Sequence, residues 1–119
     1  MSHRIQRVQS LILQEISVLI RKDVKDPRLQ KVTITDVTVS HDCKNATIYY
    51  SVLGEDKDVK AAQEAFEKAA PFLRRDIGEN IDLRYTPHLR FVFDDSVRRA
   101  AHISELLNLA RHDDESDFE

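Results

Sequence analysis

The side chains that could do chemistry fall into three places in the sequence. His41-Asp42-Cys43 puts an imidazole, a carboxylate and a thiol on consecutive residues. Those types can bind a metal ion or form a nucleophile with its base. Consecutive spacing within Ser40–Lys44 is the composition of a turn between strands, however, and no further ligands lie nearby in motif spacing. Asp94-Asp95 is a carboxylate pair of the kind used in acid–base catalysis. It also stands just before an apolar periodic segment, where Asp94-Asp95-Ser96 would cap a helix. The third place is a run of cations, Arg4, Arg7, Arg21, Lys22, Lys25, Arg28 and Lys31, which can neutralise phosphates. The other histidines form no ligand pattern. With only Gly54 and Gly78, no glycine-rich phosphate loop can be built. The sequence therefore points to no enzyme, no metal and no cofactor.

Composition gives the cations weight. The formal net charge is −3, from 18 basic and 21 acidic residues, yet the last seven residues alone hold five of the acids. Without them 18 basic side chains face 16 acidic ones. Met1–Lys31 carries seven Lys or Arg against three acids, so positive charge is concentrated at the front. A chain of 119 residues with 41% hydrophobic content fits one domain. No apolar run approaches the roughly 18 residues of a membrane span, no N-terminal signal pattern is present, and a lone Cys43 fits a reducing cytoplasm.

The elements that must position these groups follow from periodicity. Ile5, Val8, Ile12, Ile16 and Leu19 predict an amphipathic helix over 3–22, with Arg4 and Arg7 on its solvent side. Asp26-Pro27 requires it to stop. Val32 and Ile34 share one parity and Val37 and Val39 the other, so the strand over 32–39 needs a bulge near Thr35-Asp36. Asn45–Leu53 alternates and pairs with it as an antiparallel hairpin. Val59, Ala62, Phe66 and Ala69 predict a helix from about Asp58, and Pro71 divides it from a second helix that ends near Gly78, with a kink at Ala69-Ala70-Pro71. Leu89, Phe91 and Phe93 form a last strand, parallel to the second because a helical crossover joins them. A helix over 97–110 follows, then an acidic tail over 112–119 expected to be disordered. Arg74, Arg75 and Arg84 would extend the basic patch, and Tyr49 or Tyr85 could stack on a base.

Several of these segments together resemble one family. Pro87-His88-Leu89-Arg90-Phe91-Val92-Phe93-Asp94-Asp95-Ser96 is similar to the signature of bacterial ribosome-binding factor A. So are Arg4-Ile5 with Arg7-Val8, Glu15-Ile16, Lys25-Asp26-Pro27-Arg28-Leu29, and the hairpin from Val32 to Gly54. The resemblance covers roughly residues 3–109. It implies an α+β, type II KH-like fold of order αββααβ, with a three-stranded sheet and an extra C-terminal helix, as a single domain over 1–111. It also implies that a kinked helix pair at Ala69, Ala70 and Pro71 replaces the GXXG loop by which KH domains clamp a nucleic-acid backbone. Pro71 stands where that pattern often has glycine.

On the same resemblance the chain is a monomeric, non-enzymatic assembly factor in the cytoplasm. The resemblance implies that it binds the small (30S) ribosomal subunit and its 16S rRNA and supports late maturation and 5′-end processing, notably in the cold. The RNA contacts are expected from Arg4, Arg7, Arg21, Lys22, Lys25, Arg28, Lys31, Arg74, Arg75 and Arg84. The alternative is a protein-interaction module docking through the last helix or the acidic tail.

Overall fold

A computed structural model describes the backbone of residues 2–117, and side-chain surroundings for residues 3–108 apart from position 97. The order is α1 (Ser2–Lys22), a 3-10 turn (Pro27–Leu29), β1 (Val32–Val39), β2 (Asn45–Val52), α2 (Asp56–Asn80), β3 (His88–Phe93) and α3 (Ser96–Asp117). The sheet runs β1-β2-β3, with β1 antiparallel and β3 parallel to β2. This is the α+β, KH-like arrangement.

One face of the sheet makes the core. Ala46, Ile48, Tyr50 and Val52 of β2 are all buried, as period-2 alternation requires. They meet Val8, Ile12, Ile16, Leu19 and Ile20 of α1 and Ala62, Ala65, Phe66, Leu73 and Ile77 of α2. Phe66 stacks on Phe91 at 4.6 Å between ring centroids, and Tyr50 lies 4.8 Å from Phe66. Tyr50 donates a hydrogen bond from its hydroxyl to Gln63 Oε1, and burial, with Glu67 adding a smaller push, raises its phenol to about 12.

The register of β1 shifts between Ile34 and Asp36, where the change of parity demands it. Val32, Ile34 and Val37 are all buried as a result. The extra residue, Thr35, donates from Oγ1 to Asp94 Oδ2 at 2.9 Å. Asp94 Oδ1 accepts the Ser96 amide at 2.9 Å, so α3 starts one residue ahead of the expected Val97. The amide and hydroxyl of Ser96 and the Thr35 hydroxyl hold the Asp94 carboxyl below its usual range. Asp94 is thus held by the helix start and by β1, while Asp95 Oδ1 pairs with Arg99 Nε at 3.0 Å.

Two helices differ from expectation. The segments on either side of Pro71 form one 25-residue helix, α2, with Pro71 inside it. Proline costs one backbone hydrogen bond there, and the buried residues before and after it keep both segments on the sheet. The helix also passes Gly78, where a Cβ would meet Thr86 Oγ1 at 2.7 Å. Glycine lets α2 lie against the chain leading to β3. At the other end, α3 continues to Asp117 rather than stopping near Ala110. The backbone over 112–117 belongs to this helix. Residues 118 and 119 lie outside the described residues.

Every described residue from Arg99 to Asn108 is exposed, including Ile103, Leu106 and Leu107. The radius of gyration of 18.4 Å exceeds the roughly 13–14 Å of a compact domain of this length, which fits a helix projecting from the body.

Candidate nucleic-acid interface

The ten cations singled out by sequence do not form one patch. Helix α1 separates them: Arg4 and Arg21 are seventeen residues apart on it, about 25 Å along the axis. At its N-terminal end, Arg4 meets Arg84 across a cleft of about 310 Å³, with His41, Asp42, Cys43 and Tyr85 on the other walls. Arg7 shares a neighbouring cleft with Arg4, Asp82 and Leu83. At its C-terminal end, Arg21 and Lys25 line a depression with Val24, Asp26 and Leu29. Arg74 and Arg75 line another with Pro71, Gly78 and Thr86.

The ten also differ in what they already hold. Arg28 grips Asp26 in a fork: Nε lies 3.0 and 3.2 Å from the two carboxylate oxygens and Nη2 2.7 Å from Oδ2. Its amide also donates to Asp26 Oδ1 at 3.0 Å, closing the turn that Pro27 begins. These bonds hold the Asp26 carboxyl below its usual range. Arg74 donates from Nε to the Pro87 carbonyl at 3.2 Å and from Nη2 to the Thr86 carbonyl at 3.1 Å. It therefore clamps α2 to the start of β3, beside the close approach at Gly78. Both residues were expected among the RNA ligands, and both have intramolecular work. By contrast, Arg4, Arg7, Arg21, Lys22, Lys25, Lys31, Arg75 and Arg84 are exposed and have no ion-pair partner among the described residues.

One cation was overlooked in the sequence. Lys44 places Nζ 5.7 Å from the centroid of the Tyr85 ring, and Arg84 places Cζ 5.5 Å from it. Lys44 closes the hairpin turn that also carries His41-Asp42-Cys43. Among those three, Asp42 Oδ1 accepts the Ser40 hydroxyl at 2.7 Å and the Lys44 amide at 3.0 Å. These bonds lower the Asp42 carboxyl and make it the turn's organiser. Cys43 takes a positive φ of 60° to complete it. Among the described residues no group of three His, Cys, Asp or Glu side chains is placed to hold a metal ion, and no helix is long and apolar enough to cross a membrane.

The geometry offers open cations around α1, an exposed tyrosine with two cations beside it, and a turn already satisfied by its own hydrogen bonds. Comparison with known proteins agrees in fold and sequence. The family model described as ribosome-binding factor A matches residues 4–107. Ribosome-binding factor A of Halothermothrix orenii is 41% identical over 116 residues, 98% of this chain and 95% of that protein. The Coxiella burnetii protein of the same name is 44% identical over 117 residues, 98% of each. The crystal structure of ribosome-binding factor A from Thermus thermophilus superposes with a TM-score of 0.67 at 22% identity, over 74% of this chain and 93% of that one. Coordinates of the Thermus protein fitted into a map of its complex with the 30S subunit align with a TM-score of 0.61 at 22% identity, over 73% and 91%. The chain belongs to the ribosome-binding factor A family, whose members are non-catalytic.

Proposed function

We propose that this protein binds the small ribosomal subunit through its 16S rRNA and supports late maturation and 5′-end processing of that RNA, acting in the cytoplasm as a monomer and most needed in the cold. The observation that carries this reading is the set of open cations: Arg4, Arg7 and Arg84 at one end of α1, Arg21, Lys22, Lys25 and Lys31 at the other, and Arg75 on α2. Their spread over about 25 Å of helix suits a surface of several phosphates better than a single small anion. The action is positional. A non-catalytic factor shifts an RNA equilibrium only by its differential affinity for the two arrangements, so the cations must match the phosphates of one arrangement better than those of the other.

Reversing Arg7 and Lys25 together (Arg7→Glu with Lys25→Glu) tests it by co-sedimentation with small subunits over a salt series. Association should weaken at least about ten-fold at moderate salt. The slope of log affinity against log salt should fall by roughly 1.5 units, because each lost phosphate contact removes about 0.7–0.9. An unchanged affinity and slope would sink the reading.

The exposed stripe Ile103, Leu106 and Leu107 on α3 favours a second reading, docking on a protein through that helix. Truncation after Asp95 separates the two. If it abolishes association while the double reversal leaves association intact, the protein contact carries binding.

A further inference from the structure

The cleft at the N-terminal end of α1 contains more than positive charge. Tyr85 leaves 51% of its surface open, although Lys44 and Arg84 both lie within 6 Å of its ring. Arg4 faces it across the cleft. Arg4, Val8 and Leu83 line both this cleft and the neighbouring one that holds Arg7 and Asp82, so the two join into a track in which Arg4, Arg7 and Arg84 outnumber the acids Asp42 and Asp82. An exposed ring with cations over it is an arrangement in which an unstacked base can replace a cation on the ring while that cation neutralises a neighbouring phosphate. Base pairs in a duplex present no free face to such a ring.

We propose that Tyr85 is a stacking platform for one unpaired base of single-stranded RNA. Arg4, Lys44 and Arg84 hold the flanking phosphates, and Arg7 receives the next phosphate along the track. Asp42 sets the orientation. Its carboxylate, ionised and anchored by Ser40 and Lys44, repels a phosphate and accepts an N–H from a base edge. The base edge therefore points to Asp42, and the phosphates to the cations around the ring. This rests on the rRNA-binding reading and gives it a strand type and a site.

The test uses the full chain with a labelled single-stranded RNA octamer, the same octamer in a duplex, and small subunits. The wild-type protein should bind the single strand more tightly than the duplex. Tyr85→Ala should weaken the single-strand complex by about 5- to 150-fold, and Tyr85→Phe should stay within about two-fold of wild type. Lys44→Gln should lower the salt slope by about 0.7. Equal affinity of Tyr85→Ala and wild type for the octamer, or a duplex bound as tightly as the strand, overturns the platform. If the alanine variant melts early, the Tyr85 ring protons of the wild type decide. An upfield shift on adding the octamer supports stacking, and no shift overturns it. Small-subunit binding that is lost on reversing Arg7 and Lys25 but indifferent to Tyr85→Ala removes the platform alone. Wild-type protein that does not bind subunits removes the parent reading.

Discussion

Two groups of arginines look alike in the sequence and differ in the fold. Arg28, Arg74 and Arg98 are turned inward on the protein. Arg28 grips Asp26, and Arg74 holds the carbonyls of Thr86 and Pro87. Arg98 reaches Asp56 Oδ1 at 2.8 Å and the Gly54 carbonyl at 2.6 Å while lying over the Phe93 ring. Arg4, Arg7, Arg75 and Arg84 are turned outward. Arg74 joins α2 to the start of β3 and Arg98 joins the root of α3 to the start of α2, while Arg28 closes its own turn. The comparison teaches that a count of cations overstates the open positive surface, because a guanidinium with five donors is also well suited to tying a loop to a helix.

The strongest way to break this division is at Arg74. Its two bonds to main-chain carbonyls are charge-assisted, so Arg74→Ala should cost about 1–2 kcal/mol of stability. Thermal unfolding measures that loss, and binding of the folded variant to small subunits should match wild type. A variant with wild-type stability and weakened binding would move Arg74 to the outward group.

Arg28 sharpens the same contrast through pH. Asp26 has its carboxyl lowered in the folded protein, so the pair's contribution is complete above the unfolded pKa and is lost as pH falls through the folded one. Arg28→Ala should therefore lower the melting temperature near neutral pH by less than Arg74→Ala, since the pair is partly solvated. The difference from wild type should shrink as the pH drops below about 4. Melting curves across that range check it. A difference that persists in acid would mean that Arg28 acts through packing instead.

What was legible in the sequence is what depends on neighbours along the chain. The change of parity between Ile34 and Val37 placed the bulge, and the alternation from Ala46 to Val52 placed the buried face of β2. Pro27 and Asp26 placed the end of α1 and the turn after it. Pro71 misled, because its local preference is for a helix start, whereas burial of Phe66 before it and Leu73 and Ile77 after it keeps α2 continuous. The partners of Arg74 could not be read at all. They are carbonyls, which carry no residue identity, brought near by the close approach of Gly78 to Thr86. Likewise Lys44 and Tyr85 are 41 positions apart, and only the parallel pairing of β3 beside β2, with His88 opposite Asn45, brings them together.

The smallest effect is expected where an inward charge has no cation. Glu15 on α1 faces Asp76 on α2, and one oxygen of Asp76 is buried without a hydrogen-bond partner among the described residues. The Glu15 carboxyl is raised, first by a shared hydrogen bond with Asp76, then by burial and by the negative charges of Asp76 and Asp23. The sign is opposite to that of Asp26. A raised carboxyl supports the fold while protonated, and its support is lost as pH rises through the folded pKa. Above that pKa the charges of Glu15 and Asp76 repel each other across the helix seam. Glu15→Gln replaces the shared proton with a permanent amide donor, and should stabilise the protein at neutral pH by less than about 1 kcal/mol. Wild type and variant should converge in melting temperature as the pH is lowered and the Glu15 carboxyl regains its proton. A variant less stable than wild type at neutral pH would show that the seam relies on the Glu15 charge, and that a cation outside the described contacts reaches it.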